Sequence, residues 1–370
     1  MKMKVFCSQK DLEMALGITG KAISSHNTLP VLNNIMLKTE GKRLYFSATN
    51  LEIAITYFID CDVRNEGAVT VPAKLFSSYV SLIGGGDVEM EVKEGSTLNL
   101  HVGGDETKIK GISSDEFPLI PKIEKEDSIE IEVKPFTEAI EQTVFAASLN
   151  TSRPVLSGVY MQVEKDVLTM VATDSYRLAE KKLKLGYKGD SSFSCIIPGR
   201  TVSELGKILS KVKQKKLEVS VSKNQILFKV GNIELTSRLI EGKFPDYEKI
   251  IPKDSKTELT VKVEDLSLVV KRVSLFAREN NYSIRMAATN DGKLTVSTEE
   301  TRVGEEKAEL DIKMKGDNNK VALNSQYLLD VLTFIDEEEV KIEMTDKLSP
   351  AVIRPCKSDG YTYIIMPLKI

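Results

Sequence analysis

Apolar residues recur along this chain with two periods, and the switching between them predicts the order of elements. A period near 3.6 marks six amphipathic helices. Their apolar faces are Leu12/Ala15/Leu16, Leu75/Phe76/Tyr79/Val80/Ile83, Phe136/Ala139/Ile140/Val144, Val202/Leu205/Leu209, Leu266/Val269/Val270/Val273/Ala277 and Tyr327/Leu328/Val331/Leu332/Ile335. β-rich or alternating runs near 3–7, 87–92, 129–133, 217–221, 259–263 and 340–344 predict strands, punctuated by hairpin signals at Gly103-Gly104, Gly231-Asn232 and Asp291-Gly292.

The pattern repeats. Val71-Pro72, Ile197-Pro198 and Leu323-Asn324 are 126 residues apart, and each opens a helical segment. The apolar set of the last helix is that of the second shifted by 252. A second anchor, Ser47-Ala48-Thr49-Asn50, Val171-Ala172-Thr173-Asp174 and Val296-Ser297-Thr298-Glu299, has nearly the same spacing and closes an alternating run each time. A unit this long is too large for a solenoid repeat and suits a domain. The fold class expected is α+β: three tandem domains at 1–127, 128–254 and 255–370, each with two helices packed on antiparallel sheets. The first two end on Phe117-Pro118-Leu119-Ile120-Pro121 and Phe244-Pro245-Asp246-Tyr247, followed by charged linkers at 124–127 and 253–256.

Composition narrows the function classes. With 41% apolar and 28% charged residues the chain can bury a core, which excludes wholesale disorder. No apolar run approaches the ~18 residues of a membrane span, and Gln9, Lys10 and Asp11 interrupt the N-terminus before a signal-peptide core can form, so a cytoplasmic protein is expected. Cys7, Cys61, Cys195 and Cys356 stand singly, without zinc or redox spacing; no metal and no cofactor are expected. Having only His26 and His101 weakens the case for acid–base catalysis.

The net charge of −3 offers no global attraction to nucleic acid, but residues 200–216 carry six cations against one carboxylate. Continued as a helix at about 100° per residue, the segment aligns Arg200, Lys207 and Lys211 opposite Val202, Leu205, Leu209 and Val212, with Lys213 beyond. Lys74 is the repeat equivalent of Arg200, and Lys271 and Arg278 form a similar pair on the fifth helix. A solvated helix face accounts for one such row taken alone. No aromatic interleaving points to base readout, so any nucleic-acid contact should be with backbone phosphate.

The segments Thr28-Leu29-Pro30-Val31-Leu32, Ala172-Thr173-Asp174-Ser175-Tyr176-Arg177-Leu178-Ala179, Phe244-Pro245-Asp246-Tyr247 and Ile364-Ile365-Met366-Pro367-Leu368, together with the threefold repeat, resemble the bacterial DNA polymerase III beta subunit, the sliding-clamp family. The resemblance covers essentially the whole chain. It implies a homodimer joined head to tail into a six-domain ring around double-stranded DNA, with helices lining the hole. In such a ring the repeated cation rows favour phosphate contact over a merely solvated face. It further implies that the ring tethers the replicative polymerase, the clamp loader and other proteins through a short linear motif, with no membrane partner.

For the motif-binding cleft the resemblance implies Leu156, Thr173, Tyr176, Arg177, Leu178, Pro245, Ile250, Leu348, Pro350, Ile364, Met366, Pro367 and Leu368, with Ser175-Tyr176 where many relatives carry Gly-His. For the dimer contact, candidates are Leu275 and Phe276, with Lys108 and Lys110 facing Glu299, Glu300, Glu305 and Glu306. Two other readings remain: an enzyme built on Asp174, Tyr176 and Arg177 or on Glu337, Glu338 and Glu339, which lacks every nucleotide, nucleophile and metal motif, and a protein-binding scaffold that does not enclose DNA.

Overall fold

A computed structural model describes residues 3–24, 29–120, 123, 127–186 and 192–369; His26 and most of the first linker lie outside these. Among the described residues six α-helices form where the period-3.6 segments predicted them: α1 (Gln9–Thr19), α2 (Ala73–Ser81), α3 (Val133–Val144), α4 (Gly199–Leu209), α5 (Val263–Ala277) and α6 (Ser325–Leu332). α2, α4 and α6 begin 126 residues apart, each directly after a strand ending in Val71-Pro72, Ile197-Pro198 or Leu323-Asn324. The faces of α1 and α5 are buried as expected, whereas Leu75 on α2 is exposed; Ala73, Phe76 and Val80 seat that helix instead.

The chain forms two compact units, Met1–Lys134 with Glu204–Leu239, and Pro135–Ser203 with Ile240–Ile370. In the first, an antiparallel sheet runs Asp62–Asn65, Met3–Ser8, Asp87–Val92, Thr97–Val102, Asp105–Lys110. A second runs Asp127–Glu132, Lys216–Val221, Gln225–Val230, Ile233–Arg238, Ile53–Asp60, Arg43–Thr49, Asn34–Glu40, Ala68–Pro72. The other unit has a nine-stranded sheet, Phe193–Pro198, Gly158–Glu164, Val167–Thr173, Arg177–Lys184, Tyr361–Ile365, Ala351–Pro355, Glu339–Met344, Thr257–Lys262, Lys313–Gly316. Its four-stranded sheet runs Lys307–Asp311, Lys293–Ser297, Ser283–Thr289, Asn319–Asn324.

Sequence repeats therefore share sheets. Ile233–Arg238 pairs with Ile53–Asp60 (Leu235 opposite Ile55), and Arg177–Lys184 pairs with Tyr361–Ile365 (Ala179 opposite Tyr363). Where the sequence places hairpin turns, Gly103, Gly231 and Gly292 adopt positive φ, the conformation a residue without Cβ reaches most cheaply.

Candidate functional site

The anchor Thr-Asp/Asn that ends one strand in each of the first two repeats builds the same tight turn. Asn50 Oδ1 accepts the backbone N–H groups of Glu52 (3.0 Å) and Ile53 (2.9 Å), and Thr49 Oγ1 donates to the Ile53 carbonyl (2.9 Å). In the second repeat Asp174 Oδ1 accepts from Tyr176 N (2.9 Å) and Arg177 N (3.0 Å), and Thr173 Oγ1 donates to Arg177 O (2.7 Å). The residue between takes positive φ, Leu51 at 76° and Ser175 at 80°. This turn projects Tyr176 outward, 62% exposed.

Arg177 is held on every side. Its Nε donates to Asp174 (3.1 Å), Nη2 to the Phe145 carbonyl (2.9 Å) and Nη1 to Asp330, while the guanidinium lies over the rings of Tyr327 (4.5 Å) and Phe145 (5.5 Å). Burial alone would lower its pKa, but Tyr363, Asp330 and Asp174 outweigh burial and raise it. Each of its three nitrogens donates to the fold, so it fixes the wall of the site.

Beside this turn lies a cavity of about 570 Å³, lined by residues of the 147–156 and 174–177 segments and by Tyr327. Leu149 is 100% exposed at its margin, and Arg153 Nη1 reaches Ser175 Oγ at 3.5 Å. Of the thirteen expected cleft residues, Leu156, Tyr176 and Arg177 line it. Thr173 is buried in the turn. Leu178 and Ile364 are both fully buried, in a cluster with Val171, Ile196, Phe244, Tyr247 and Val352. They support the surface from beneath because their strands are neighbours, Leu178 opposite Ile364.

Pro245, Ile250 and Leu348 are exposed and Pro350 is half-buried. The tail leaves its strand after Ile365: Met366 N donates to Tyr176 O (2.8 Å) and Leu368 N to Ala322 O (2.8 Å), with Pro367 between them lacking an N–H. Sequence reasoning did not find Ala147–Arg153 or Tyr327. The one local signal there is the turn-forming Ser148, Asn150 and Ser152; Ser148 Oγ accepts from Asn150 N and Asn150 Oδ1 from Ser152 N.

The basic segment is shorter than its periodicity suggested. α4 ends at Leu209, so Arg200 and Lys207 ride on the helix while Lys211 lies in the following turn and Lys213 in the loop. The chain must leave the helix here to deliver Lys216–Val221 to its partner strand; Val133 N donates to Lys215 O at the join. Glu204 accepts from Lys207 (2.8 Å) and lies 3.5 Å from Lys21, leaving an excess of positive charge. Lys74, Arg200, Lys207, Lys211, Lys213, Lys271 and Arg278 are all exposed.

Among the candidate contact residues, Lys108 and Lys110 lie on the edge strand Asp105–Lys110. Leu275 is exposed and Phe276 half-buried on α5. The acidic group flanks another edge strand, Lys307–Asp311, but two of its members have intrachain partners: Glu299 with Arg285 and Glu306 with Arg272 (3.2 Å). Glu337, offered for catalysis, closes a loop instead. Burial would raise its pKa, but hydrogen bonds from Ser358, Lys357 and Cys356 hold it below the usual range.

Family models described as the DNA polymerase III beta subunit N-terminal, central and C-terminal domains match residues 3–121, 130–246 and 248–369. A beta sliding clamp of Staphylococcus aureus is 32% identical over 363 residues, 96% of each chain. Crystal structures of the DNA polymerase sliding clamp from Bacillus subtilis (30% identity, TM-score 0.95) and the DNA polymerase III beta subunit from Thermotoga maritima (25%, TM-score 0.94) each align over 100% of both chains.

Proposed function

Since this chain belongs to the DNA polymerase III beta subunit family, and so has the function of a DNA sliding clamp for polymerase processivity, we propose how its residues carry that function. Two copies join head to tail into a ring around double-stranded DNA. The ring is non-catalytic, works in the cytoplasm, and is divided into clamp domains at 1–127, 128–254 and 255–370. Lys74, Arg200, Lys207, Lys211, Lys213, Lys271 and Arg278 touch backbone phosphate without reading sequence. The observation that carries this assignment is the register. Lys74 and Arg200 are the second residues of helices that begin 126 residues apart, and both are exposed. Non-specific contact of this kind is salt-sensitive and weak, which permits sliding.

The cavity beside Asp174–Arg177 receives apolar side chains of a short linear motif from the replicative polymerase, the clamp loader and other partners. Leu156, Tyr176, Pro245, Ile250, Leu348, Pro350, Met366, Pro367 and Leu368 offer contact surface; Thr173, Arg177, Leu178 and Ile364 hold it in shape. Edge strands at Asp105–Lys110 and Lys307–Asp311 present unused ladder groups, the usual template for pairing with another chain. We assign the dimer contact to these edges, with Lys108, Lys110, Leu275, Phe276, Glu299, Glu300, Glu305 and Glu306 around them. Mass in solution tests the assignment. A dimer of the 41.1 kDa chain that becomes monomeric on Leu275→Asp is expected; a wild-type monomer at micromolar concentration refutes it.

A further inference from the structure

The five-stranded sheet of the first unit carries a polar constellation unrelated to the cavity or the basic helices. Along Asp87–Val92 and Thr97–Val102, Val88, Met90, Val92, Leu98 and Leu100 point inward and are buried. Alternation sends Glu89, Glu91 and His101 to the opposite face, where all three are half-buried. Register places Glu89 directly across from His101 and Glu91 diagonal to it. One donor atom from each of the three lies within 4.8 Å of the others.

We propose that this face binds one divalent transition-metal ion of the zinc class through Glu89, Glu91 and His101. Two carboxylate oxygens and an imidazole nitrogen suit Zn²⁺ and its neighbours, whereas Mg²⁺ prefers oxygen ligands and retains water. Histidine separates this group from an ordinary acidic cluster, and it sits between two carboxylate strands, with Glu106 opposite it on the far side. The ligands hang from hydrogen-bonded neighbouring strands, so their spacing is fixed by the ladder and not by a loop. Lys4 Nζ lies 2.6 Å from Glu89 and Lys93 Nζ 3.1 Å from Glu91. These ammonium groups balance the same negative charge, so an incoming ion competes with Lys4 for Glu89. Sequence spacing could not disclose the site, because its ligands converge only through cross-strand register.

Calorimetric titration of the full chain with ZnCl₂, paralleled by Co²⁺ absorption spectroscopy, tests the proposal. One ion per chain is expected, with a Co²⁺ spectrum showing nitrogen ligation. His101→Ala and Glu89→Gln should each weaken binding at least about tenfold, and His26→Ala should leave it unchanged. Lys4→Met should tighten binding by removing the competitor, an effect that loss of fold does not mimic. Equimolar Mg²⁺ should not displace Zn²⁺. Absence of binding to the wild-type chain, or binding that survives His101→Ala undiminished, overturns the proposal.

Discussion

Removing the Arg177 guanidinium should loosen the cavity wall by a calculable amount. Truncation to Ala strands three acceptors: the Asp174 carboxylate, the Asp330 carboxylate and the Phe145 carbonyl. Breaking a shielded ion pair costs about 3–5 kcal/mol; Arg177 and Asp174 side chains are only 12% and 15% exposed, which places their pair near that range. Asp330 is 42% exposed, so its loss is screened to about 1 kcal/mol or less. Asp174 keeps its two backbone donors and water can enter the cavity, so a net loss of about 2–3 kcal/mol is expected. Lys restores the charge but not the three-way fork and should recover about half. A chain of two compact units need not unfold in one step, so the readout is native-state amide exchange at residues 174–178, which reports local opening. A change below about 0.5 kcal/mol, or a Lys variant equal to wild type, would show that the network does not hold the wall.

Ile364→Ala removes a fully buried side chain and should cost about 2–5 kcal/mol of local stability, read by native-state amide exchange along Tyr361–Ile365. Deleting residues 366–370, by contrast, spares the strand Tyr361–Ile365 and should abolish binding of an apolar-anchored peptide, measured by fluorescence anisotropy, while circular dichroism stays unchanged. Arg200→Glu with Lys207→Glu should impair loading onto DNA and flatten the salt dependence of binding without dissociating the dimer seen by sedimentation. Burial pushes the thiols of Cys7 and Cys195 up to about 12 and of Cys61 to about 11, so a thiol reagent at pH 8 should label exposed Cys356 first. That labelling should quicken as rising pH increases the thiolate fraction, and mass mapping identifies the site.

Local signals carried much of this fold. Helix starts at Ala73, Gly199 and Ser325 were legible because a strand ending, a helix-forming run and a fixed register coincide three times. The end of α4 was not: residues 210–216 contain no Gly or Pro, and their lysines tolerate helix, so nothing local announces the turn that strand pairing imposes. Sharing of sheets between repeats was equally hidden, because Leu235 opposite Ile55 is a pairing of distant strands that alternation alone does not specify. In the cavity, Tyr176 and Arg177 were reached through resemblance to a family, and only the folded turn distinguishes an exposed Tyr176 from a committed Arg177. The Ala147–Arg153 segment carries turn residues like many other loops, so its place at the cavity has no sequence signature.

If DNA is held by enclosure more than by affinity, retention must differ between molecules with and without ends. The protein is loaded onto circular duplex DNA by a bacterial clamp loader with ATP, the loader is removed, and half the sample is linearised at moderate salt. Retention on circles and rapid loss from linear molecules are expected, since a closed ring leaves only by opening or by sliding off an end. Equal retention on both forms would mean ordinary surface binding and would contradict enclosure.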